Sequence, residues 1–179
     1  MLIDEFLPQY EISERHTIDI HAPIEQVYAS LRLFDMRDSQ IVLWLFRLRG
    51  LPQQTLTLDG MLKFGFILLG EMPPQELVFG LIGRFWTRTA GIQRMDSQDY
   101  ARFEKPGFAK VAANFSLTEQ ADGIVRAATE TRIHCLDDAS RRYFRLYWTL
   151  IGPFSAWIRL EWLRLIKLKA ESLAKAPAR

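Results

Sequence analysis

Three segments in the middle of the chain alternate apolar and polar residues with a period of two, and no other feature restricts the fold as much. QELVFGLIGRFW puts Leu77, Phe79, Leu81 and Phe85 on one face and Glu76, Val78, Gly80, Ile82 and Arg84 on the other. AKVAANFSL sets Val111, Ala113, Phe115 and Leu117 against Lys110, Ala112 and Asn114. IVRAATETRIHC sets Val125, Ala127, Thr129, Thr131, Ile133 and Cys135 against Arg126, Glu130, Arg132 and His134. The short turn EQADG, with Gly123 free to take positive φ, joins the last two as a hairpin. The expectation is an antiparallel meander with one apolar face. A sheet solvated on one side has to bury the other, and only helices remain to cover it.

The longest candidate for that cover follows the last strand. Asp137 and Asp138 supply a cap and first-turn negative charge, and Arg164, Lys167 and Lys169 lie near the end of a helix predicted to run to about Leu173. Its stretch YWTLIGPFSAWI, Tyr147 to Ile158, has no charged residue but falls well short of the ~20 residues needed to cross a bilayer. The apolar positions from Tyr143 to Ile158 spread over an arc of roughly 200°, so this helix has to be covered on more than one side. Arg145, Thr149, Gly152, Ala156 and Arg159 form the narrow ridge left for solvent. Pro153 removes the bond to the Thr149 carbonyl and predicts a kink near Gly152.

Ahead of the strands, residues to about Ser13 read as a lead-in. ERHTIDIHA then alternates as a strand with His16, Ile18 and Ile20 on one face. Pro23 opens a helix marked by Ile24, Val27, Tyr28 and Leu31. A second helix runs from an N-cap at Ser39 through Arg49, with Gly50 and Pro52 stopping it. It is apolar almost all round, with Ile41, Trp44, Leu45 and Leu48 as one stripe. TLTLDGMLKFGFILLGE stays open between a short helix from about Asp59 and a strand near Ile67.

At 179 residues the chain suits one domain, residues 1–179, with 170–179 expected to fray. Its 23 basic and 21 acidic residues are too evenly balanced for a nucleic-acid binder. The lone Cys135 and the scattered His16, His21 and His134 give no metal, redox or disulfide signal, and no cofactor motif is present. With Asp4 and Glu5 where a signal peptide carries positive charge, the expected location is the cytoplasm.

The residues HTIDIHAPIEQVYASL and TETRIHCLDDASRRYFRLYW, in an order of strand, two helices, antiparallel strands and one long helix, resemble the START-like helix-grip superfamily. That group includes lipid-transfer START domains, pollen-allergen relatives and polyketide cyclases/dehydrases. The resemblance implies an α+β fold in which a curved antiparallel sheet grips the C-terminal helix, with two or three short helices near the N-terminus and an apolar cavity between sheet and helix. The leading expectation is a non-enzymatic protein that binds a lipid, isoprenoid or polyketide-like molecule. Its cavity would be lined by Phe79, Leu81, Val111, Ala113, Phe115, Thr129, Thr131, Tyr147, Ile151, Phe154 and Ile158. The small side chains of Ala113, Thr129 and Thr131, and Gly83, leave room on that face.

An enzyme of the cyclase or dehydratase kind is the alternative, with Glu130, Arg132, His134 or Tyr147 in the acid/base role. Glu130 and Arg132 reach the cavity only if a bulge turns them inward. Otherwise the polar strand face forms solvated cross-strand pairs. The apolar surfaces at Ile41 to Phe46 and Met61 to Leu69 are core, cavity mouth or a transient membrane-surface contact, and the chain is a monomer or a homodimer.

Overall fold

The period-two segments form strands, and the helix that follows covers them. The computed structural model describes residues 1–48 and 53–175. In chain order the elements are α1 (Ile3–Phe6), β1 (Ile12–Ile20), α2 (Ile24–Arg32), α3 (Gln40–Leu48), α4 (Leu58–Phe64), β2 (Ile67–Met72), β3 (Glu76–Gly83), α5 (Ser97–Arg102), β4 (Ala109–Glu119), β5 (Val125–Cys135) and α6 (Asp138–Lys175). Short 3-10 turns lie before α3, before α4 and in the β4–β5 hairpin. The open stretch after α3 contains both alternatives, helix α4 and strand β2. Thr57 caps α4 by accepting the Gly60 N–H at 3.2 Å, and Gly65, at φ 128°, ends it.

One curved antiparallel sheet has the order β1-β5-β4-β3-β2, so the first strand of the chain closes against the last. The architecture is α+β, a sheet gripping the long C-terminal helix. On the gripped face, Leu77, Phe79, Phe115, Leu117, Val125 and Ala127 form one core with α2 and with Trp162, Leu163 and Ile166 of α6. The turn before α6 is set by Asp137, which accepts the Ser140 N–H at 2.9 Å. Glu161 of α6 accepts the Ser39 hydroxyl at 2.7 Å and so ties α6 to the start of α3.

The other face of the sheet is also covered, contrary to the expectation of a solvated polar side. The residues read as a lead-in contain α1, and Ile3 and Leu7 pack with Val78, Ile82, Tyr100, Phe108 and Ala112 in a second core. Backbone N–H groups of Leu2 and Ile3 donate to the buried Glu76 carboxylate at 2.7 and 3.3 Å. Burying these polar strand residues is tolerable because they are paired with one another and with the N-terminal segment.

Two helix faces differ from expectation. In α3, Val42, Leu45 and Phe46 are buried, whereas Ile41 and Trp44, read as part of the core stripe, are exposed, Trp44 by 58%. Arg49, Gly50 and Pro52, read as the end of this helix, lie outside the described residues. In α6 the predicted solvent ridge is only partly on the surface: Arg145 and Thr149 are exposed, Ala156 is half-buried, Gly152 is buried and Arg159 is turned inward. Tyr143, Leu146, Leu150 and Trp157 take the solvent side instead. At Gly152, on the inward side, the Trp148 indole lies close over the helix, where a Cβ would come within 3.1 Å of its Nε1. A larger residue there would have to push the Trp148 ring aside. The helix is continuous through Pro153 and on through residues 170–175, which were expected to fray.

Candidate functional site

The gripped face is not filled from end to end. Along α6, Phe144, Trp148, Ile151, Ser155, Ile158 and Trp162 recur at steps of four, three, four, three and four and turn toward the sheet. Opposite them stand Phe79 and Leu81 of β3, Val111, Ala113 and Phe115 of β4, and Thr131 and Ile133 of β5. Between the two layers lies a pocket of about 540 Å³. Phe46, Met61, Phe64 and Phe66 close one side, and Phe85, Ala90 and Ile92 of the loop after β3 close another. Trp162 is wedged between Phe34 and Phe115, with ring centroids 4.3 and 4.6 Å away. Phe144 sits between Trp148 and the edge of Phe85. The pocket reaches the surface at Thr87 and Arg88, both exposed.

The polar lining is sparse. It consists of Thr55, Thr87, Arg88, Thr131, Ser155 and Arg159, with the Tyr147 hydroxyl. Arg159 is the unusual member. Burial pulls its guanidinium down to about 10, and the charge of Glu14 acts in the other direction. Glu14 projects from β1 on the gripped side, directly across from Thr131, and its Oε1 lies 3.0 Å from Nε2 of His16.

Of the eleven positions named as cavity lining, Phe79, Leu81, Val111, Ala113, Phe115, Thr131, Tyr147, Ile151 and Ile158 line this pocket. Thr129 and Phe154 do not. Thr129 is on the same sheet face, but it is fully buried and its hydroxyl donates to the Asn114 carbonyl at 2.8 Å. Phe154 is half-buried on α6 beside the stripe that lines the pocket. The room credited to Gly83 is already taken, since a Cβ there would lie 2.7 Å from the Ala90 carbonyl oxygen.

Glu130, Arg132 and His134, named as acid/base candidates, are on the opposite side of the sheet, because no bulge interrupts the β4–β5 register. Arg132 donates to Glu130 at 2.6 Å and to the Leu7 carbonyl at 3.2 Å, and pairs with Asp4 at 2.7 Å. Glu130 also accepts the Ser13 hydroxyl at 3.2 Å, and its backbone N–H donates to the Asn114 side chain at 3.0 Å. The Asn114 amide in turn donates to Glu76 at 2.6 Å. His134 lies 3.3 Å from Glu11. These residues hold the N-terminal segment to the sheet and do not meet the pocket. Cys135 is buried among Ala109, Ile133 and Phe144, and burial pushes its thiol up to about 12, which makes it a poor nucleophile.

Sequence reasoning missed Arg159, Glu14, Trp148 and Trp162. Arg159 adjoins Ile158 and lies one helical turn, four residues, beyond Ser155 of the stripe that begins at Phe144, so the edge of that stripe includes it. Glu14 shares the β1 alternation of His16 and Ile18, two positions earlier.

Fold and pocket together define the class: an α+β helix-grip protein with an aromatic-lined pocket between sheet and long helix. No protein-family model matches the chain, and no curated protein matches it. Solved structures similar to it include a conserved protein from Geobacillus kaustophilus, at 8% identity over 90% of this chain and 96% of that one, with a TM-score of 0.46. Another is a hypothetical protein from Helicobacter pylori, at 7% identity over 93% of each chain and a TM-score of 0.43. A third is the di-domain ARO/CYC protein StfQ of the steffimycin biosynthetic pathway, at 12% identity over 89% of this chain and 45% of that one, with a TM-score of 0.27. Among the described residues no helix is long and apolar enough to cross a membrane, and no His, Cys, Asp and Glu group is placed to hold a metal ion.

Proposed function

We propose that this chain binds an apolar or amphipathic small molecule, of the lipid, isoprenoid or polyketide-like kind, between its sheet and α6. The observation that supports this best is the pocket of about 540 Å³ lined mainly by aromatic and aliphatic side chains. Packed interiors leave few voids larger than a water molecule, while ligand sites occupy roughly 300–1,000 Å³. Affinity comes mainly from apolar burial, at about 25 cal/mol per Å². The START-like resemblance of the element order points the same way.

Native mass spectrometry of freshly purified protein, with titration of a neutral apolar fluorophore such as N-phenylnaphthylamine, tests this reading. A co-purifying mass or saturable fluorescence, lost when Ala113→Leu fills the pocket, is the expected result. Neither a bound mass nor saturable binding in the native protein would sink it.

One observation favours a second reading, acid/base chemistry of the cyclase or dehydratase kind. The Glu14–His16 pair, 3.0 Å apart, is on the gripped face of β1, outside the pocket lining but next to it, since Glu14 is directly across from the lining residue Thr131. On this reading the catalytic groups are Glu14 and His16 and not Glu130, Arg132 or His134. Turnover of a polyketide-like substrate that disappears in Glu14→Gln, with binding retained, separates it from simple binding.

A further inference from the structure

Three polar atoms on the pocket lining are shut off from solvent and have no hydrogen-bond partner among the described residues: Nε of Arg159, Oγ1 of Thr131 and the indole Nε1 of Trp162, the last on a ring wedged between Phe34 and Phe115. Arg159 and Thr131 face each other from different layers, α6 and β5. The neighbouring carboxylate does not resolve this. Glu14 makes no ion pair with Arg159 among the described residues, and its Oε1 is engaged by His16 while its own Oε2 is left without a partner. Other buried charges among the described residues have partners: Arg132 pairs with Glu130 and Asp4, Glu161 with Arg164 and Ser39, and the Lys110 ammonium donates to the Ala101 carbonyl. Arg159 is therefore a half-buried cation whose Nε, shut off from solvent, is left without a partner, against the general rule that such groups are satisfied.

Resting on the small-molecule reading above, we propose that the ligand carries one anionic head group of the carboxylate type, seated on the Arg159 guanidinium with the Thr131 hydroxyl donating to the same group. A guanidinium offers a planar fork of N–H donors that matches the two oxygens of a carboxylate, and a threonine hydroxyl supplies one further donor. Both donors are then satisfied, and the apolar remainder of the ligand lies along the rings of α6 and the aliphatic face of β3 and β4. A neutral apolar ligand would leave both atoms unpaired. A quaternary ammonium would place like charge beside Arg159. A phosphate monoester shares the anionic chemistry but brings a third oxygen and more charge to a site with one half-buried cation. Arg88 also borders the pocket, but it is exposed at the surface, where water already solvates its charge.

The test compares probes of one chain length, hexadecanoate, hexadecanol and hexadecyl phosphate, by isothermal titration to the native protein and to Arg159→Gln, Thr131→Val and Arg88→Gln. The native protein is expected to bind hexadecanoate at least about tenfold more tightly than hexadecanol, the scale of a charge-assisted contact in a dry site. Arg159→Gln removes that preference while still binding hexadecanol. Thr131→Val, nearly isosteric and independent of any effect of Arg159 on folding, reduces the preference severalfold. Arg88→Gln leaves it in place.

Equal affinity for acid and alcohol in the native protein overturns the anionic head while leaving the pocket reading intact. So does a preference that survives Arg159→Gln and is lost in Arg88→Gln. Tighter binding of hexadecyl phosphate than of hexadecanoate overturns the carboxylate assignment. Failure of all three probes to bind removes the small-molecule reading itself.

Discussion

Glu76 of β3 accepts the backbone N–H of Leu2 at 2.7 Å and the side-chain amide of Asn114 at 2.6 Å, so one buried carboxylate fastens both the N-terminal segment and the neighbouring strand. The same segment is held a second time, by Arg132 through the Leu7 carbonyl and Asp4. Removing one partner from such a network leaves the others buried without acceptors. Glu76→Ala is expected to destabilise the protein by about 3 kcal/mol, the order for leaving two or three buried N–H donors without an acceptor. Hydrogen exchange should then rise first at residues 2–7. A Glu76→Ala protein that melts with native stability would show that the segment is held by its apolar contacts alone.

Asp137 governs the entry into α6. Its carboxylate is held down to about 2, first by the Ser140 hydroxyl at 2.6 Å and then by the backbone N–H groups of Ser140 and Gly107. The folded-state value is below the unfolded value of about 3.9, so the stabilisation is fully present above about pH 4 and is lost as pH falls through 2. Asp137→Asn keeps a capping oxygen but cannot titrate. Its stability should fall less steeply between about pH 4 and 2 than that of the native protein, whereas Asp137→Ala should lose about 1 kcal/mol at neutral pH. Parallel urea melts across that range measure both.

The strands and their faces were legible because period two leaves only two ways to orient a strand, and residues such as Phe79, Val111 and Phe115 choose between them. Alternation says which residues share a side but not what covers that side. Glu130 and Arg132 were therefore grouped correctly with His134, yet read as solvated. Their cover is the segment around Ile3 and Leu7, whose single helical turn has too few residues to show a period and which is held by partners far along the chain, Glu76 and Arg132.

Helix α6 was legible in extent but not in rotation. With apolar residues over more than half its circumference, hydrophobicity alone does not select the buried side. Arg159 was assigned to solvent by its charge, although it adjoins Ile158 on the pocket side. The buried side is the one that carries Phe144, Trp162, Leu163 and Ile166 into contact with the sheet and α2.

That rotation makes paired tryptophans on one helix respond differently. Trp162 is buried between Phe34 and Phe115, while Trp157 faces solvent. Trp162→Ala should cost about 3–5 kcal/mol, as for a large ring removed from a core, and Trp157→Gln should stay within about 0.5 kcal/mol of native stability. Chemical denaturation of the two variants decides the matter, and a reversed order would place the other side of α6 against the sheet.

Gly152→Ala sets two effects of similar size against each other. Alanine in place of glycine inside a helix stabilises it by about 1 kcal/mol. The new methyl, however, would come within 3.1 Å of Nε1 and 3.3 Å of Cε2 of Trp148, closer than ordinary contact. Trp148 has space into which it can give, because it lines the pocket. The expected outcome is a variant whose stability is within about 1 kcal/mol of native but whose pocket is narrowed by the displaced ring. Uptake of N-phenylnaphthylamine should fall severalfold while the urea midpoint hardly moves. Pro153→Ala, one residue on, restores a hydrogen-bond donor to the Thr149 carbonyl on the exposed side and adds nothing to the pocket. It should therefore raise helix stability with far less effect on the affinity for the same probe. If Gly152→Ala binds the probe as well as the native protein does, Trp148 moves away from the pocket and the glycine is needed for helix packing alone.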